Sequence, residues 1–312
     1  MAASLQETDT ATLVETLRHD LETRLREKIE GRPDSHLIER AVRGGKRLRP
    51  ILLLTVFKAL GGTDYTKALD VAVALELAHS ASLVHDDIVD FDKTRRGRVS
   101  LWYQIGAGKA IIQGHRIINL AFNIVLDIGE EMTRIFVEAW DRASKGILDE
   151  VVNKAALTER LYLLMIREKT ASLFEAAARA GAVLAGASPD MVQLMRRYGS
   201  EVGTVYQLAD DLTENIKRKS LGRIYFLTHE MRERLIHLLV ATKTKQIRKL
   251  YRAVTPYTPQ EEFMKRQIVE RIRSAVNLAG DERIPESAYK ILLKELPWMF
   301  VKQMLREGGK RV

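Results

Sequence analysis

The chain has 312 residues, of which 46% are hydrophobic, so it can bury a sizeable core. Its 50 lysines and arginines outnumber its 41 acidic residues, and the formal charge of +9 suits a polyanion, a membrane surface or a phosphorylated substrate as partner. The absence of cysteine excludes disulfides, thiolate catalysis and cysteine-ligated zinc.

The elements predicted along the chain are helices. No proline occurs between Ile51 and Ser188, and apolar residues recur at helical spacing, as at Leu52, Val56 and Ala59. Turn signals at 61–62, 106–108, 186–189, 256–259 and 280–285 divide the chain into roughly ten helices without a low-complexity linker. The sequence therefore predicts an all-α fold in which residues 1–312 form one domain, a large helix bundle with a central active-site cavity.

The first functional motif predicted along the chain is the basic segment GGKRLRP at residues 44–50. Lys46, Arg47 and Arg49 can bind phosphate, arginine through a bidentate fork, and the two glycines let the backbone approach a ligand closely. A second basic pair, Arg95 and Arg96, follows the first acidic segment by a few residues. Both positions suit a diphosphate better than a merely solvated helix face.

Two acidic segments carry the strongest functional signal. They place carboxylates at i, i+1 and i+4, at Asp86, Asp87 and Asp90 and again at Asp210, Asp211 and Glu214. Like charges four residues apart destabilise a helix by roughly 0.2 to 0.5 kcal/mol, so each segment requires a compensating cation. One acidic cluster alone would suit a solvated helix face, but the first follows the largely apolar stretch LELAHSASLVH. Magnesium binds carboxylate and phosphate oxygens, so two facing pairs predict a diphosphate clamp.

Membrane insertion and nucleic-acid binding are not expected. Polar residues interrupt the apolar stretch from Ala110 to Ile128, which predicts a buried helix, and the N-terminus lacks the pattern of a secretory signal. We therefore expect a cytoplasmic protein with at most peripheral membrane contact. The tail could rest on a membrane, or pack as a last bundle helix through Trp298, Met299 and Phe300. Scattered basic residues and 6% aromatic content predict no nucleic-acid partner.

Five motifs occur in the order typical of one family: GGKRLRP, ELAHSASLVHDDIVDFDKTRRG, Lys169-Thr170, YQLADD and AYKILLKELP. Over nearly its whole length the chain resembles the trans-isoprenyl diphosphate synthases, and among them the geranylgeranyl and geranylfarnesyl diphosphate synthases. The resemblance implies an isoprenoid synthase fold, a homodimer, and condensation of an allylic prenyl diphosphate with isopentenyl diphosphate. It also implies magnesium as the cofactor, with three ions when substrate is bound.

The resemblance also implies roles for individual residues. The implied metal ligands are Asp86, Asp90 and Asp210, supported by Asp87, Asp211 and Glu214. The implied ligands of isopentenyl diphosphate are Lys46, Arg49, His79 and Arg96. The allylic diphosphate and the developing carbocation would be held by Arg95, Lys169, Thr170 and Gln207. Lys217, Lys219 and Arg223 are candidates to replace the lysines of a loop that is shorter here than in the family.

The chain departs from the family's pattern near the second acidic segment. Ile147 and Glu150 replace the glutamine and aspartate of a Gly-Gln-x-x-Asp segment, and an aliphatic side chain cannot hydrogen-bond. His115 stands in place of an aspartate and is expected to pack or hydrogen-bond. These changes keep two alternatives open: a divergent prenyltransferase or terpene synthase with a non-standard acceptor, or a subunit of a heteromeric synthase.

Small residues before the first acidic segment bear on product length. In the family, bulk on this helix limits the growth of the prenyl tail, and Ala78, Ala81 and Ser82 are small. One helical turn rises about 5.4 Å, close to one isoprene unit, so an open face of about three turns predicts products of about C20 to C35. Alternatively, the small residues only allow close helix packing.

Overall fold

The computed structural model describes residues 10–152, 159–220 and 258–307, except for the side chains at 150–152, 214–220, 258–262 and 305–307. These residues form helices α1 (Thr10–Ile29), α2 (Ser35–Val42), α3 (Leu48–Ala59), α4 (Tyr65–Val89), α5 (Leu101–Ile105), α6 (Ala107–Ile128), α7 (Glu130–Val152), α8 (Glu159–Ile166), α9 (Ser172–Leu184), α10 (Pro189–Ser220), α11 (Thr258–Ala279) and α12 (Ala288–Glu307). The prediction of an all-α fold is confirmed.

Two short elements interrupt the helices, and the sequence pattern did not predict either of them. Strands β1 (Thr94–Arg95) and β2 (Arg98–Val99) form an antiparallel hairpin directly after α4. A π-helix (Arg167–Ala171) joins α8 to α9. Strands of two residues are too short to show alternation, and a π-helix has no hydrophobic period of its own, so periodicity could not indicate them.

Helices α3 and α4 lie at the centre of the bundle. Every residue of α3 except Lys58 is buried, as expected of a helix that is apolar all round. Helices α1, α4, α9 and α12 pack around α3, and α6 packs along α4. Near the start of α3, Arg49 contacts His79 in the second half of α4, so GGKRLRP lies beside the helix that carries the first acidic segment.

The largest buried apolar cluster draws residues from α1 through α12, including Leu17, Phe57, Ile117, Phe174 and Leu296. A second cluster around Leu208 and Met304 packs where α8, α10, α11 and α12 meet. A core shared by helices from both ends of the chain is what the single-domain prediction requires. That prediction covers residues 1–312 and therefore extends beyond the described residues.

Helix α4 is also the one helix among the described residues that is long and apolar enough to cross a membrane, with a mean hydropathy of 1.2. Of its most apolar window, 67% is buried inside the bundle, as in the core helix of a folded domain. The stretch from Ala110 to Ile128 does form a helix, α6, as predicted. Its burial is one-sided, because Ile112 and Leu126 are 60% and 62% exposed.

The C-terminal helix α12 packs against the bundle. Phe300 is buried in the core cluster and Met299 packs partly against it. Trp298 stays 43% exposed, with the Lys302 ammonium 5.7 Å from its ring centroid. Packing through Met299 and Phe300 is therefore confirmed as the arrangement of this segment, and the residues after Glu307 lie outside the described part.

Candidate active site

The first acidic segment ends helix α4 and leads into the hairpin. The backbone N–H of Asp90 donates to the carbonyl of Asp86 at 2.8 Å, and Phe91 then reverses the chain with a φ of 55°. The hairpin turns at Arg96 and Gly97, with φ angles of 53° and 71°, as a two-residue turn of type I′ requires. A left-handed arginine is an uncommon conformation that functional sites tolerate more often than other surfaces do.

Asp87, the second carboxylate of the segment, is engaged by an arginine of the hairpin. Arg95 donates through Nε to the Asp87 carboxylate at 2.6 Å, and its Nη2 also contacts that carboxylate and reaches Asp92 at 3.3 Å. Burial raises the pKa of Asp87, and the Arg95 guanidinium opposes that shift. Asp87 thus fixes the position of Arg95. The other two carboxylates of the segment are more accessible: Asp86 is half-buried and Asp90 is exposed.

Arg47 in the basic segment serves the fold. It is 4% exposed, and its Nη1 donates to Glu76 of α4 at 2.6 Å while its Nε donates to Glu22 of α1 at 2.7 Å. Burial lowers the pKa of Arg47, but the two carboxylates outweigh this effect and raise it. Its φ of 57° turns the chain into α3. The expectation that Arg47 binds phosphate is therefore corrected: both of its faces are taken by carboxylates.

The remaining basic residues of the two motifs gather at one place, which we call the cationic wall: Lys46, Arg49, His79 and Arg96. Arg49 Nη1 lies 3.0 Å from His79 Nε2, and the Arg49 guanidinium lies 4.6 Å from the ring centroid of Phe174. Lys46 lies 6.0 Å from the ring centroid of Tyr206 on α10, and its Nζ is 2.7 Å from Met304 Sδ. The wall thus lies between α4, α10 and α12.

The electrostatics of the wall favour an anion. Burial, followed by the nearby Arg49 and Arg96, lowers the pKa of His79 well below its ordinary value, so the imidazole is neutral. Because an arginine can only donate, Nε2 of His79 accepts and the proton sits on Nδ1. The Nε of Arg49 is buried and, among the described residues, has no hydrogen-bond acceptor. An unpaired buried donor between cations is what a phosphate oxygen would satisfy.

On the other side of the site, a chain of hydrogen bonds connects the π-helix to the second acidic segment. Thr170 Oγ1 donates to Gln207 Oε1 at 2.8 Å, and Gln207 Nε2 donates to Asp211 at 2.8 Å. The Tyr162 hydroxyl of α8 contacts the same carboxylate. Burial, followed by Asp211, raises the pKa of Tyr162, so the phenol stays protonated and donates. The predicted residues Thr170, Gln207 and Asp211 are therefore brought together.

Two glycines hold the π-helix between α7 and α10. A Cβ added at Gly146 would lie 2.6 Å from the backbone N of Lys169, and one at Gly203 would lie 2.7 Å from Cα of Ala171. Both contacts are with backbone, which cannot rotate away. The departing residue Ile147 follows Gly146 directly and is half-buried beside this close contact. Lys169 is therefore positioned by the segment in which the chain differs from the family's pattern.

The donor set suits magnesium in kind, although no preformed cage is present in the described part. Carboxylate oxygens are the ligands that magnesium prefers; Asp86 and Asp90 supply them at the end of α4, and Asp210 supplies them from within α10. Among the described side chains, no three His, Cys, Asp or Glu residues converge on one point. Such a sparse set fits an ion that takes its other ligands from water and substrate phosphate.

Some predicted residues lie elsewhere or outside the description. The side chains of Glu214 and Lys219, and the alternatives Lys217 and Arg223, are outside the described residues. His115 is exposed on α6, with its ring centroid 5.2 Å from that of His85, which agrees with a packing role. The sequence reasoning missed Tyr206 and Tyr162. Tyr206 begins the quoted stretch YQLADD one turn before Asp210, so its helical spacing could have indicated it.

The three small residues of α4 have different surroundings. Ala78 lines a narrow apolar cavity of about 10 Å³ between α4, α6, α7 and α9, where Phe122, Phe136 and Trp140 supply most of the bulk. Ala81 is fully buried, and Ser82 donates to the carbonyl of His79 at 2.7 Å. Of the three, Ala78 alone lines this cavity, although their i, i+3 and i+4 spacing places them on one side of α4. The expectation that they share one open tunnel face stays a prediction.

Comparison with known proteins agrees with this arrangement. Residues 35–271 match the family model of polyprenyl synthetases. The geranylfarnesyl diphosphate synthase of Methanosarcina mazei is 36% identical over 172 residues, 55% of this chain and 58% of that protein. The octaprenyl diphosphate synthase of Escherichia coli is 29% identical over 274 residues, 82% of each chain. The alignments with the first archaeal relatives span 58–60% of those proteins' length.

The solved structures agree in fold. The geranylgeranyl pyrophosphate synthetase from the archaeon Geoglobus acetivorans superposes with a TM-score of 0.73 at 25% identity, covering 92% of this chain and 98% of that chain. The predicted isoprenoid synthase fold is thereby confirmed. With the family model matched over most of its length and the helices arranged as in solved members, the chain belongs to the polyprenyl synthetase family.

Proposed function

We propose that this protein is a magnesium-dependent trans-prenyltransferase that condenses an allylic prenyl diphosphate with isopentenyl diphosphate. The observation that carries the proposal is the buried, unpaired Arg49 Nε within a wall that also contains Lys46, Arg96 and neutral His79. Such a wall lacks an internal counter-ion for Arg49 and favours a multiply charged anion. Residues 35–271, which match the family model, include all of these positions.

The chain's residues divide the work between two diphosphates. Lys46, Arg49 and Arg96 would bind isopentenyl diphosphate, with His79 holding the Arg49 guanidinium in place. Arg95, fixed by Asp87, and Lys169, fixed by the Gly146 contact, would bind the allylic diphosphate. Thr170 and Gln207 would face the developing positive charge with oxygen atoms. No covalent bond to the protein is required.

The metal ligands in this proposal are Asp86, Asp90 and Asp210, with Asp87, Asp211 and Glu214 in support. Magnesium, when bound, would neutralise the charge of the diphosphate that leaves. Asp211 already accepts from Gln207 and Tyr162, and Asp87 accepts from Arg95. These two carboxylates therefore orient other groups in the site, which is consistent with their supporting part.

The test is to incubate the protein with magnesium, isopentenyl diphosphate and allylic diphosphates of several lengths, and to size the products. We expect chain lengthening that chelation by EDTA abolishes and that Arg49→Gln reduces by at least about a hundredfold in kcat/KM, because a buried charge-assisted contact is lost. Arg134→Gln, at an exposed position on α7, is the matched control and should leave the rate unchanged. Absence of any lengthened product would contradict the proposal.

The same assay measures the length of the product, which we predict to be about C20 to C35. Since Ala78 lines the apolar cavity, Ala78→Phe should shorten the product, whereas Trp140→Ala should enlarge the cavity and lengthen it. Ser82→Phe serves as the comparison, because Ser82 is not among the cavity residues. If all three variants gave the same product distribution as the unmodified protein, the residues that limit the length of the prenyl tail would lie elsewhere.

A second candidate function, transfer to an acceptor other than isopentenyl diphosphate or cyclisation, is favoured by Ile147. This half-buried aliphatic residue adjoins the Gly146 contact with Lys169, where the family has a hydrogen-bonding glutamine. It would appear as release of pyrophosphate without chain extension. Ile147→Gln should then restore or increase extension if the missing amide is the cause.

The assembly and the location are also proposals. Ile111, Ile112 and Leu126 on α6 and Val137 on α7 are 40–62% exposed, and large exposed apolar side chains on neighbouring helices suit a homodimer interface. We propose a cytoplasmic homodimer without a nucleic-acid partner and with at most peripheral membrane contact. Sedimentation of the purified protein tests this assembly, and full activity of the homodimer alone would exclude the subunit of a heteromeric synthase.

A further inference from the structure

A polar cleft lies beside the cationic wall, between α2, α4, α5 and the hairpin. Its volume is about 330 Å³. Five arginines and one histidine line it, against the two carboxylates Glu39 and Asp87. Arg95 and Arg96 belong to this lining and are shared with the candidate active site, whereas Arg40 and Arg98 are not.

The cleft contains two serines whose hydroxyl groups lack partners. Ser80 on α4 is fully buried and Ser100, just before α5, is 2% exposed. Both residues line the cleft, and neither Oγ makes a hydrogen bond within the described residues. Buried hydroxyls are nearly always hydrogen-bonded in folded proteins. Two unpaired hydroxyls in the wall of a cationic cleft therefore indicate an acceptor that comes from outside the chain.

One wall of the same cleft is apolar. Leu83, Val84 and Leu101 line it, and Val84 and Leu101 belong to a small core cluster against which Trp102 packs. Inorganic phosphate would leave this wall uncovered, and a purely apolar ligand would leave the arginines without counter-ions. A ligand with both a phosphate group and a small hydrocarbon part would satisfy the two walls together.

We propose that this cleft is a second anion site that binds a small organic phosphate or diphosphate. The phosphate oxygens accept from Arg40, Arg98 and the two serine hydroxyls, and the hydrocarbon part contacts Leu83 and Val84. The ligand chemistry has two sources, a short prenyl diphosphate or a non-prenyl organic phosphate. Of the assigned diphosphate ligands, Arg95 and Arg96 line the cleft, whereas Lys46, Arg49 and Lys169 do not, so the cleft extends beyond the site of the proposed condensation.

Trp102 offers a local reporter of binding. It packs in the cluster that forms the apolar wall, and its indole N–H donates to the carbonyl of Asp92 at 2.7 Å. The chain has three tryptophans, so Trp140→Phe together with Trp298→Phe leaves Trp102 as the sole fluorophore. The full-length protein in this background is titrated with isopentenyl diphosphate, glycerol 3-phosphate and inorganic pyrophosphate in EDTA, so that no turnover contributes.

We expect a saturable change in Trp102 fluorescence with at least one organic phosphate, and weaker binding of pyrophosphate. The double variant Arg40→Glu with Arg98→Glu, both at exposed positions, should raise the Kd of the organic phosphate by at least about tenfold, because two charge-assisted contacts become repulsive. Ser100→Ala should raise Kd by about threefold to tenfold through loss of one hydroxyl. Arg134→Glu, a single charge reversal at an exposed position on α7, should change Kd by less than about twofold.

Two results would overturn the proposal. One is the absence of saturation with all three probes, and the other is a Kd that the Arg40→Glu and Arg98→Glu pair leaves unchanged, which would place binding at the cationic wall instead. The ratio of isopentenyl diphosphate to glycerol 3-phosphate affinity then decides between the two sources. Because the titration involves no turnover, its result is independent of the elongation assay: the protein can lengthen prenyl chains without binding a phosphate in this cleft, and it can bind one without lengthening chains.

Discussion

The two sides of the candidate site are built from different interactions. On the α4 side, full charges face each other: Arg47 pairs with Glu76, and Arg95 pairs with Asp87. On the α10 side, Thr170, Gln207 and Tyr162 form neutral or singly charged hydrogen bonds that end on Asp211. One side is arranged around fixed cations and the other around oriented dipoles.

The difference indicates that the two sides have different parts in the proposed reaction. A side rich in fixed cations binds diphosphates regardless of the detailed shape of the hydrocarbon. A side made of oriented hydrogen bonds and glycine contacts is sensitive to displacements well below 1 Å, as expected where geometry selects what reacts. The departure at Ile147 falls on this second side, beside the Gly146 contact, which is where altered specificity should originate.

The largest expected effect comes from breaking the buried ion pair on the α4 side. Arg47→Met should lower the free energy of unfolding by about 3 to 5 kcal/mol, because Glu76 is left charged and 2% exposed. The double variant with Glu76→Leu should recover most of this loss. Urea denaturation of the three proteins measures it, and a single variant as stable as the double would contradict the fixed-charge description.

Next in size is steric disruption on the α10 side. Gly146→Ala should lower the free energy of unfolding by about 1 to 3 kcal/mol, since its Cβ meets the Lys169 backbone. Gly108→Ala on α6 is the matched control: nothing lies within 4 Å of its added Cβ, so it should be neutral or stabilising. Equal thermal midpoints for the two variants would show that the π-helix is not clamped.

A smaller effect is expected from the hydrogen-bonded chain itself. Gln207→Leu keeps the size of the side chain but removes its bonds to Thr170 and Asp211, so kcat/KM should fall about tenfold, or about 1.4 kcal/mol. Gln193→Leu, at an exposed position of the same helix, should leave it unchanged. Loss of stability without loss of activity would assign Gln207 to the fold alone.

Per pH unit, the smallest expected effect is a pH dependence of stability from His79. The pKa of His79 is lowered in the folded state, whereas an unfolded histidine titrates near 6.5. Below about pH 6.5 the unfolded chain binds the extra proton, so stability is lost as pH falls, by at most about 1.4 kcal/mol per pH unit. His79→Gln should flatten the curve of denaturation midpoint against pH between 7 and 5. An unchanged slope would mean that His79 is charged in the wall.

Much of the site follows from local patterns. Local patterns predicted the chemistry of the site without reference to the rest of the chain. Metal binding was predicted from the spacing of Asp86 and Asp90. Phosphate binding was predicted from the glycines before Lys46 and from the Arg95-Arg96 pair. Helical periodicity likewise predicted the all-α fold. Such features are readable because each depends on residues within a few positions of one another, where a helix fixes the geometry.

The tertiary structure alone decided which charges serve the fold and which serve the site. Arg47 and Arg49 are two residues apart and chemically identical, yet one is enclosed by Glu22 and Glu76 while the other keeps a buried Nε unpaired. Their partners lie 25 to 30 positions away along the chain, so no local pattern distinguishes them. Desolvation and pairing depend on what packs against a charge, and only the assembled helices determine that.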